Sequence, residues 1–188
     1  MSEITTKYFI KRKEWRDWLK SNFEIKDDIW LEYPLKKTGK ERILYNDAVE
    51  EALCFGWIDS TVKSLNAETT IQRFCKRRKN SSFSQPNKER LKWLYEKKLL
   101  HPTLNRDVEK IIEEKFLFPK DILAKLKLDK TAWNNYESFS EAYKRIRIAY
   151  IDSARKRPKE FEKRLNNFIV KTKENKLIKG FGGIDKYY

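Results

Sequence analysis

The residues with the clearest chemical potential lie just after a predicted helix, on the strand that follows it. Trp57 and Asp59 stand two positions apart after Gly56. Because side chains alternate across a strand, the indole and the carboxylate are expected on one face of the sheet. That face has two interpretations. Either it lines a ligand-binding cleft, or Trp57 packs in the core while Asp59 caps a turn or pairs with an arginine, as in a structural ion pair.

A group of cationic and polar residues follows in the chain and gives this region the means to bind an anion. Arg73, Arg77 and Arg78 carry forked guanidinium donors, which suit phosphate or carboxylate oxygens. A helix is predicted to begin near Ser84, and backbone N–H groups at such a start attract anions. The sequence therefore predicts an anion-binding cleft between the hairpin of residues 57–74 and this helix. The predicted ligand-binding residues are Trp57, Asp59, Arg73, Arg77, Arg78, Ser84 and Asn87.

The overall charge also favours an anionic partner. Lys and Arg total 43 against 28 Asp and Glu, which gives a formal charge of +15 and a pI of about 9.7. Nucleic acid is therefore an alternative partner, because the basic loop from Lys76 to Lys79 lies beside Phe74 and Phe83, and positive charge with aromatic rings suits single strands. A solvated loop that keeps the protein soluble explains the same pattern, and no nucleic-acid fold signature accompanies it.

Metal, cofactor and disulfide chemistry find little support in the sequence. His101 is the single histidine, which argues against a zinc site. No glycine-rich phosphate loop is present to predict a nucleotide cofactor. Cys54 and Cys75 lack the CxxC spacing and are predicted to be reduced core thiols. We therefore expect no metal and no cofactor.

No catalytic group of residues stands out either. Glu50 and Glu51 are neighbours on a predicted helix and are expected on adjacent faces, without converging. Lys144, Arg145 and Arg147 are predicted to form the solvent face of another helix. An enzyme that uses the carboxylate and the arginines of the predicted cleft to act on an anionic small molecule is a second alternative, less favoured than binding.

Composition and periodicity predict an α+β fold, with a small antiparallel sheet in the N-terminal half packed with helices and a helical C-terminal half. We expect one domain over residues 1–176, with an α/β part of about 1–100, a helical part of about 101–176, and a loose tail at 177–188. The expected elements include a helix over about 11–22, a strand over 29–33, a turn at Gly39, a helix from an Asn46 cap to Gly56, strands over 57–62 and 69–74, a helix capped by Ser84, and a last helix that opens at Pro158.

The location of the protein is predicted from two absences. The first seven residues contain no apolar run of signal-peptide length. No later stretch approaches the roughly 20 apolar residues of a membrane-spanning helix. The sequence therefore predicts a soluble cytoplasmic protein.

One segment carries a family resemblance. The run from Tyr45 to Ser60 reads YNDAVEEALCFGWIDS and is similar to the signature of the YdeI/OmpD-associated (bacteriocin-protection) family. The similarity continues through Arg73-Phe74, Arg77-Arg78, Ser82, Ser84 and Asn87, and more faintly through Ala154-Arg155-Lys156-Arg157-Pro158. It covers most of the chain from about Trp30 to about Lys176.

The resemblance implies a role in protection against bacteriocins or cationic peptides, and it implies no particular reaction. Three positions depart from the family pattern: Cys75-Lys76 replaces Thr-Pro, Phe83 stands where Trp is usual, and Phe161 lies where members often carry a Thr-Arg pair. The periplasmic location linked to the family is not carried over. The resulting expectation is a non-enzymatic binding or stress-protection protein with an anion-binding cleft.

Overall fold

A computed structural model describes residues 5–78, 81–179 and 185–187. The chain forms two compact units: a first unit of Met1–Ser82 with Leu91–Lys110, and a second unit of Phe83–Arg90 with Ile111–Tyr188. Of the predicted tail, residues 180–184 and 188 lie outside the described residues, and Asp185–Tyr187 forms a 3₁₀ turn.

The predicted α+β class is confirmed, with the sheet in the N-terminal half and helices through the rest. The strands of the described residues are β1 (Thr6–Lys7), β2 (Asp28–Pro34), β3 (Trp57–Ser64) and β4 (Thr69–Lys76). The α-helices are α1 (Arg12–Asn22), α2 (Tyr45–Cys54), α3 (Gln85–Glu96), α4 (Asn105–Glu113), α5 (Lys120–Lys127), α6 (Lys130–Ser138), α7 (Glu141–Asp152) and α8 (Pro158–Lys173). None of these helices is long and apolar enough to cross a membrane.

The four strands form one mixed sheet in the order β1-β2-β4-β3. β3 and β4 pair as the predicted antiparallel hairpin, and β2 joins the other side of β4 in antiparallel orientation. β1 is parallel to β2, so the expectation of an antiparallel sheet is right for three strands and wrong for the fourth. A β-bulge interrupts the β3–β4 register between Asp59 and Val62.

Helices α1 and α2 cover the sheet with aromatic and aliphatic side chains. Trp15 of α1 is fully buried, and its ring lies 5.5 Å from that of Phe74 on β4. Its indole N–H donates to the carbonyl of Ala48 at 3.0 Å, which fixes α1 against α2. A buried aromatic cluster of this kind supplies both apolar area and orientation to the core.

The boundaries of α2 show what a sequence pattern defines well and what it does not. The helix begins at Tyr45 after an extended Leu44, so the predicted Asn46 cap is wrong by position: the chain turns helical before it reaches Asn46. The end at Gly56 is confirmed, since this glycine has a φ of +72°. A side chain there would be strained by that backbone conformation and would approach Leu104 Cδ2 at 3.3 Å.

The second unit is built around its own apolar core. The core residues are Ile122, Leu126, Ala132, Tyr136, Tyr143, Ile148, Ile151, Leu165 and Phe168. Side-chain caps define two of its helices, because Asp129 accepts a hydrogen bond from Ala132 N–H and Ser140 from Tyr143 N–H. The predicted start of the last helix at Pro158 is confirmed. Proline suits this position because the N–H that it lacks would have no partner within the first helical turn.

Candidate functional site

Trp57 is a packing residue of the first unit. Its side chain is 1% exposed. The indole N–H donates to the carbonyl of Phe23 at 3.2 Å, and the ring meets Trp18 edge-on at 5.8 Å. The core interpretation of Trp57 is therefore confirmed, and any ligand contact by this residue stays a prediction.

Asp59 and Arg73 do not meet, although both belong to the predicted cleft. Asp59 is paired with Phe74 across the hairpin, so these two residues share a face of the sheet. Arg73 neighbours Phe74 on β4 and therefore lies on the opposite face. There it binds Asp28 of β2, with Nε donating at 2.8 Å. Asp59 instead accepts a hydrogen bond from the Tyr45 hydroxyl at 2.6 Å.

Arg77 closes the loop after β4. Its backbone N–H donates to Gly56, and its guanidinium donates to the carbonyls of Ser81, at 2.9 Å, and of Ser82. Burial lowers the pKa of Arg77. Arg78 is exposed beside it. The donors that Arg77 would turn toward an anion are thus directed at backbone oxygens in this structure, and anion binding by either arginine stays a prediction.

Ser84 and Asn87 belong to the second unit, whereas the other predicted ligand-binding residues belong to the first. Ser84 immediately precedes α3, and its carbonyl accepts a hydrogen bond from Lys88 N–H at 3.0 Å. Asn87 Oδ1 accepts a hydrogen bond from Arg90 at 2.8 Å. The predicted helix start is confirmed, and the ligand role of both residues stays a prediction.

The second unit contains a cavity of about 370 Å³, here called the α7–α8 cavity. It is lined by two helices and by the segment that follows the second of them. The lining residues are Arg147, Tyr150 and Ile151 of α7, Glu160, Lys163, Arg164, Asn167 and Phe168 of α8, and Ile178 and Lys179. The lining thus contains four cationic side chains and one carboxylate.

Arg147 is the deepest of these cations, since its side chain is 3% exposed. It donates to the carbonyl of Ile178 and lies 5.5 Å from the centroid of the Tyr143 ring. The Tyr143 hydroxyl in turn accepts a hydrogen bond from Ile178 N–H at 3.0 Å. Arg147 and Tyr143 together hold the segment after α8 in place as one wall of the cavity.

The prediction that Lys144 and Arg147 form a solvent face is wrong. Lys144 is 8% exposed, and its ammonium reaches the carbonyl of Glu137 and a carboxylate oxygen of Glu141, each at 2.9 Å. Long cationic side chains can be buried when acceptors surround the charged end. Glu141 lies one turn earlier on α7, whereas the carbonyls of Glu137 and of Ile178, which Arg147 reaches, lie outside α7 and are not revealed by a helical period.

Arg164 and Glu160 form the ordered polar wall of the cavity. Arg164 Nε donates to Glu160 at 2.7 Å and a terminal nitrogen donates to the Tyr150 carbonyl at 2.8 Å. The guanidinium stacks 3.8 Å from the centroid of the Tyr150 ring. The hydrogen bond from Arg164 lowers the pKa of Glu160, with a contribution from the charge of Lys163.

Two lysines complete the lining and differ from the arginines. Lys163 and Lys179 are exposed. Within the described part of the chain, neither forms an ion pair at 4 Å or less. Both lysines therefore combine solvent exposure with a place in the cavity lining.

A second charged cluster lies in the first unit and was missed by the sequence analysis. Glu50 and Glu51 are both buried, and both bind Arg12 of α1, with Glu50 at 2.8 Å. Arg16 binds Glu51 at 2.6 Å and the carbonyl of Leu99 at 2.7 Å. The expectation that the two carboxylates do not converge is therefore wrong. The only signal in the sequence is the spacing of four between the two arginines, which places them on one face of α1.

The two cysteines and the possible metal-binding side chains of the described residues do not form a further reactive site. Burial raises the pKa of the Cys54 thiol to about 12, which makes it a poor nucleophile at neutral pH. Cys75 is a free thiol and is partly exposed. Over residues 5–78, 81–179 and 185–187, no group of three or more His, Cys, Asp or Glu side chains is placed to hold a metal ion.

Two family models match the chain, one in each half. Residues 7–106, more than half of the chain, match the model of a domain of unknown function, DUF8412. Residues 115–175 match the family described as bacteriocin-protection, YdeI or OmpD-associated. No curated protein and no solved structure gives a match.

The second match confirms the family resemblance, but it does so on a different segment from the one that carried most of it. The run from Tyr45 to Ser60 falls in the first match, and the fainter run from Ala154 to Pro158 falls in the second. All but two residues of the α7–α8 cavity, Ile178 and Lys179, also lie in the second match. The chain therefore belongs to the DUF8412 family, and its residues 115–175 are the segment that it shares with the bacteriocin-protection, YdeI or OmpD-associated family.

Proposed function

We propose that the protein is a non-enzymatic binding protein for small anionic ligands and that the α7–α8 cavity is its principal binding site. One observation carries this proposal: among the residues that the structure describes, the cavity is lined by four cationic side chains and a single carboxylate. The proposal keeps the anion-binding class predicted from the sequence and moves the main site from the hairpin region to the second unit.

The surplus of positive charge is the reason to expect a ligand. Glu160 forms an ion pair with Arg164, so the carboxylate in the lining already neutralises one of the four cations. Like charges held around one cavity repel each other, and an anion that enters relieves this repulsion. Arginine and lysine donors also form strong charge-assisted hydrogen bonds to carboxylate or phosphate.

Binding fits the cavity better than catalysis. A general acid or base works best when its pKa lies near the working pH. The pKa of Glu160 is lowered by Arg164, so this carboxylate stays ionised and paired at neutral pH. Its role in the proposal is to orient Arg164, whose guanidinium is further fixed by the Tyr150 ring and carbonyl.

The proposal is tested by thermal unfolding in the presence of inorganic phosphate, acetate, butyrate, hexanoate or octanoate. Chloride at the same ionic strength is the reference. A ligand that binds only the folded state raises the midpoint of unfolding. The variant Lys163→Gln/Lys179→Gln removes two cations from the cavity and is expected to lose most of the shift.

The matched control is Lys120→Gln/Lys156→Gln, which removes the same charge from two exposed lysines of the second unit outside the cavity. It is expected to respond as the original protein does. If both pairs of substitutions reduce the shift equally, the effect is one of total charge, and the cavity is not the site.

Nucleic acid is the second candidate partner, because the formal charge of +15 favours phosphate-rich polymers. Labelled single- and double-stranded oligonucleotides, titrated at two salt concentrations, test it: affinity should fall steeply as salt rises. The same charge argues against direct capture of cationic bacteriocin peptides, since like charges repel. Absence of oligonucleotide binding at low salt removes this candidate and leaves the first untouched.

A further inference from the structure

We infer that the α7–α8 cavity binds an amphipathic organic anion, in which one carboxylate or phosphate group is attached to an apolar body. The inference rests on the proposed function and narrows it, because inorganic anions would use only part of the cavity. It follows from the size of the cavity, the apolar part of its lining, and the position of its unpaired cations.

The cavity is too large for an inorganic anion alone. A volume of about 370 Å³ falls within the range of roughly 300–1,000 Å³ found for pockets that hold small organic molecules. A single phosphate would occupy only a part of this volume, so room remains for a covalently attached body.

The lining offers that body an apolar surface. Ile151 and Phe168 are buried core residues that line the cavity, and the partly buried Ile178, which also lines it, packs against the same core. Transfer of a ligand methylene from water to such a surface raises affinity by about fourfold. An apolar extension therefore strengthens binding as long as the cavity has room for it.

The unpaired cations set the position of the anionic group. Arg147 donates to the Ile178 carbonyl, and Arg164 donates to Glu160 and to the Tyr150 carbonyl. The exposed ammonium groups of Lys163 and Lys179 have no such ion-pair partner in the part of the chain that the structure describes. The anionic group is thus expected at the lysines, with the apolar body directed inward.

Isothermal titration with a graded set of probes tests this arrangement. Acetate, butyrate, hexanoate and octanoate share one carboxylate and differ in chain length, 1-octanol lacks the charge, and 3-phenylpropanoate replaces the alkyl body by a ring. Affinity is expected to rise by about fourfold per methylene from acetate until the cavity is filled. The alkyl and aryl arms show which kind of body the cavity prefers, and tight, charge-dependent binding of either supports the inference.

Two pairs of variants locate the binding. Lys163→Gln/Lys179→Gln should weaken octanoate at least tenfold and leave 1-octanol unchanged, whereas Lys120→Gln/Lys156→Gln should change neither. Ile178→Ser should weaken octanoate, and Leu177→Ser, a change at the neighbouring exposed residue outside the cavity, should not. All titrations are made well below the unfolding midpoint of each variant, so that loss of stability is not read as loss of binding.

The outcomes separate the inference from the proposed function. If inorganic phosphate binds as tightly as octanoate and depends on the two lysines, the inference fails and the proposed function stands. If 1-octanol binds as tightly as octanoate, the cavity is only an apolar pocket, and both fail. If no probe binds in a manner that depends on the two lysines, both also fail.

Discussion

Two charged regions of this protein use similar residues in opposite ways. In the first unit, Arg12 and Arg16 are matched by the buried carboxylates of Glu50 and Glu51, which we call the α1–α2 ion network. In the α7–α8 cavity of the second unit, four cations line a space that contains one carboxylate. A balanced network needs no ligand to satisfy it, whereas a surplus of one sign around a cavity invites an ion of the other sign.

Two arginines of the first unit show how carboxylate partners change the pKa of a guanidinium group. Burial alone works to lower the pKa of Arg12, but hydrogen bonds and charges of Glu51 and Glu50 together raise it above its ordinary value. Arg77 donates to the carbonyls of Ser81 and Ser82, and burial lowers its pKa. Carboxylate partners, and not depth alone, therefore decide whether the pKa of an arginine is raised or lowered.

The largest expected loss of stability tests whether the run from Tyr45 to Ser60 contributes to the fold through Trp57. Trp57→Ala should reduce the free energy of unfolding by about 3–5 kcal/mol, because it removes a buried indole and leaves a cavity. Denaturant unfolding measures the loss. Val62→Ala, an exposed position on the same strand, is the control and should change stability by less than about 0.5 kcal/mol. A loss below about 1 kcal/mol for Trp57→Ala would mean that the indole is not a core anchor.

The next largest loss of stability is expected when a substitution removes a carboxylate from the α1–α2 ion network. Glu51→Gln removes the buried carboxylate that Arg16 binds and one of the two buried carboxylates that Arg12 binds, while Glu50 stays in place. Loss of a buried counter-charge typically costs about 3–5 kcal/mol when the pair is fully buried. Both arginine side chains are about a third exposed, so we expect a smaller loss of about 2–3 kcal/mol. Glu24→Gln makes the same change at an exposed site and should be neutral. Equal stability of the two variants would show that the network contributes nothing.

Local patterns in the sequence were sufficient for most elements of the fold. The β3–β4 hairpin follows from two runs of β-branched and aromatic residues, and the end of α2 follows from Gly56. The start of α8 follows from Pro158. β1 could not be predicted, because two residues carry no period, and its position depends on pairing with β2.

The charged sites could not be predicted, because their meaning lies in contacts between distant residues. Arg12 and Glu51 are separated by 39 positions, and Arg147 and Ile178 by 31. The same limit applies near the hairpin, where Arg73 lies on the face opposite Asp59 and binds Asp28. A sequence shows which residues are charged, but only the fold decides which of them meet.

A smaller loss of stability is expected when an exposed ion pair of the first unit is broken. Arg73 and Asp28 have side chains that are 38% and 40% exposed, so Arg73→Ala should cost less than about 1 kcal/mol. A double-mutant cycle with Asp28→Ala, followed by denaturant unfolding, isolates the energy of the pair. A coupling above about 2 kcal/mol would place this pair with the buried network and would contradict its classification as a surface contact.

The smallest expected effect on stability concerns the two lysines of the α7–α8 cavity and sharpens the comparison most. If Lys163 and Lys179 are held near like charges without serving the fold, Lys163→Gln/Lys179→Gln should leave the free energy of unfolding unchanged or raise it by up to about 0.5 kcal/mol. Any gain should be present at low salt and disappear at high salt, because mobile ions screen the repulsion among exposed cations. Lys120→Gln/Lys156→Gln should show a smaller dependence on salt, since these lysines lie outside the cavity. A loss of 1 kcal/mol or more that persists at high salt would show that the two lysines have stabilising partners, and the cavity would then resemble the α1–α2 ion network instead of contrasting with it.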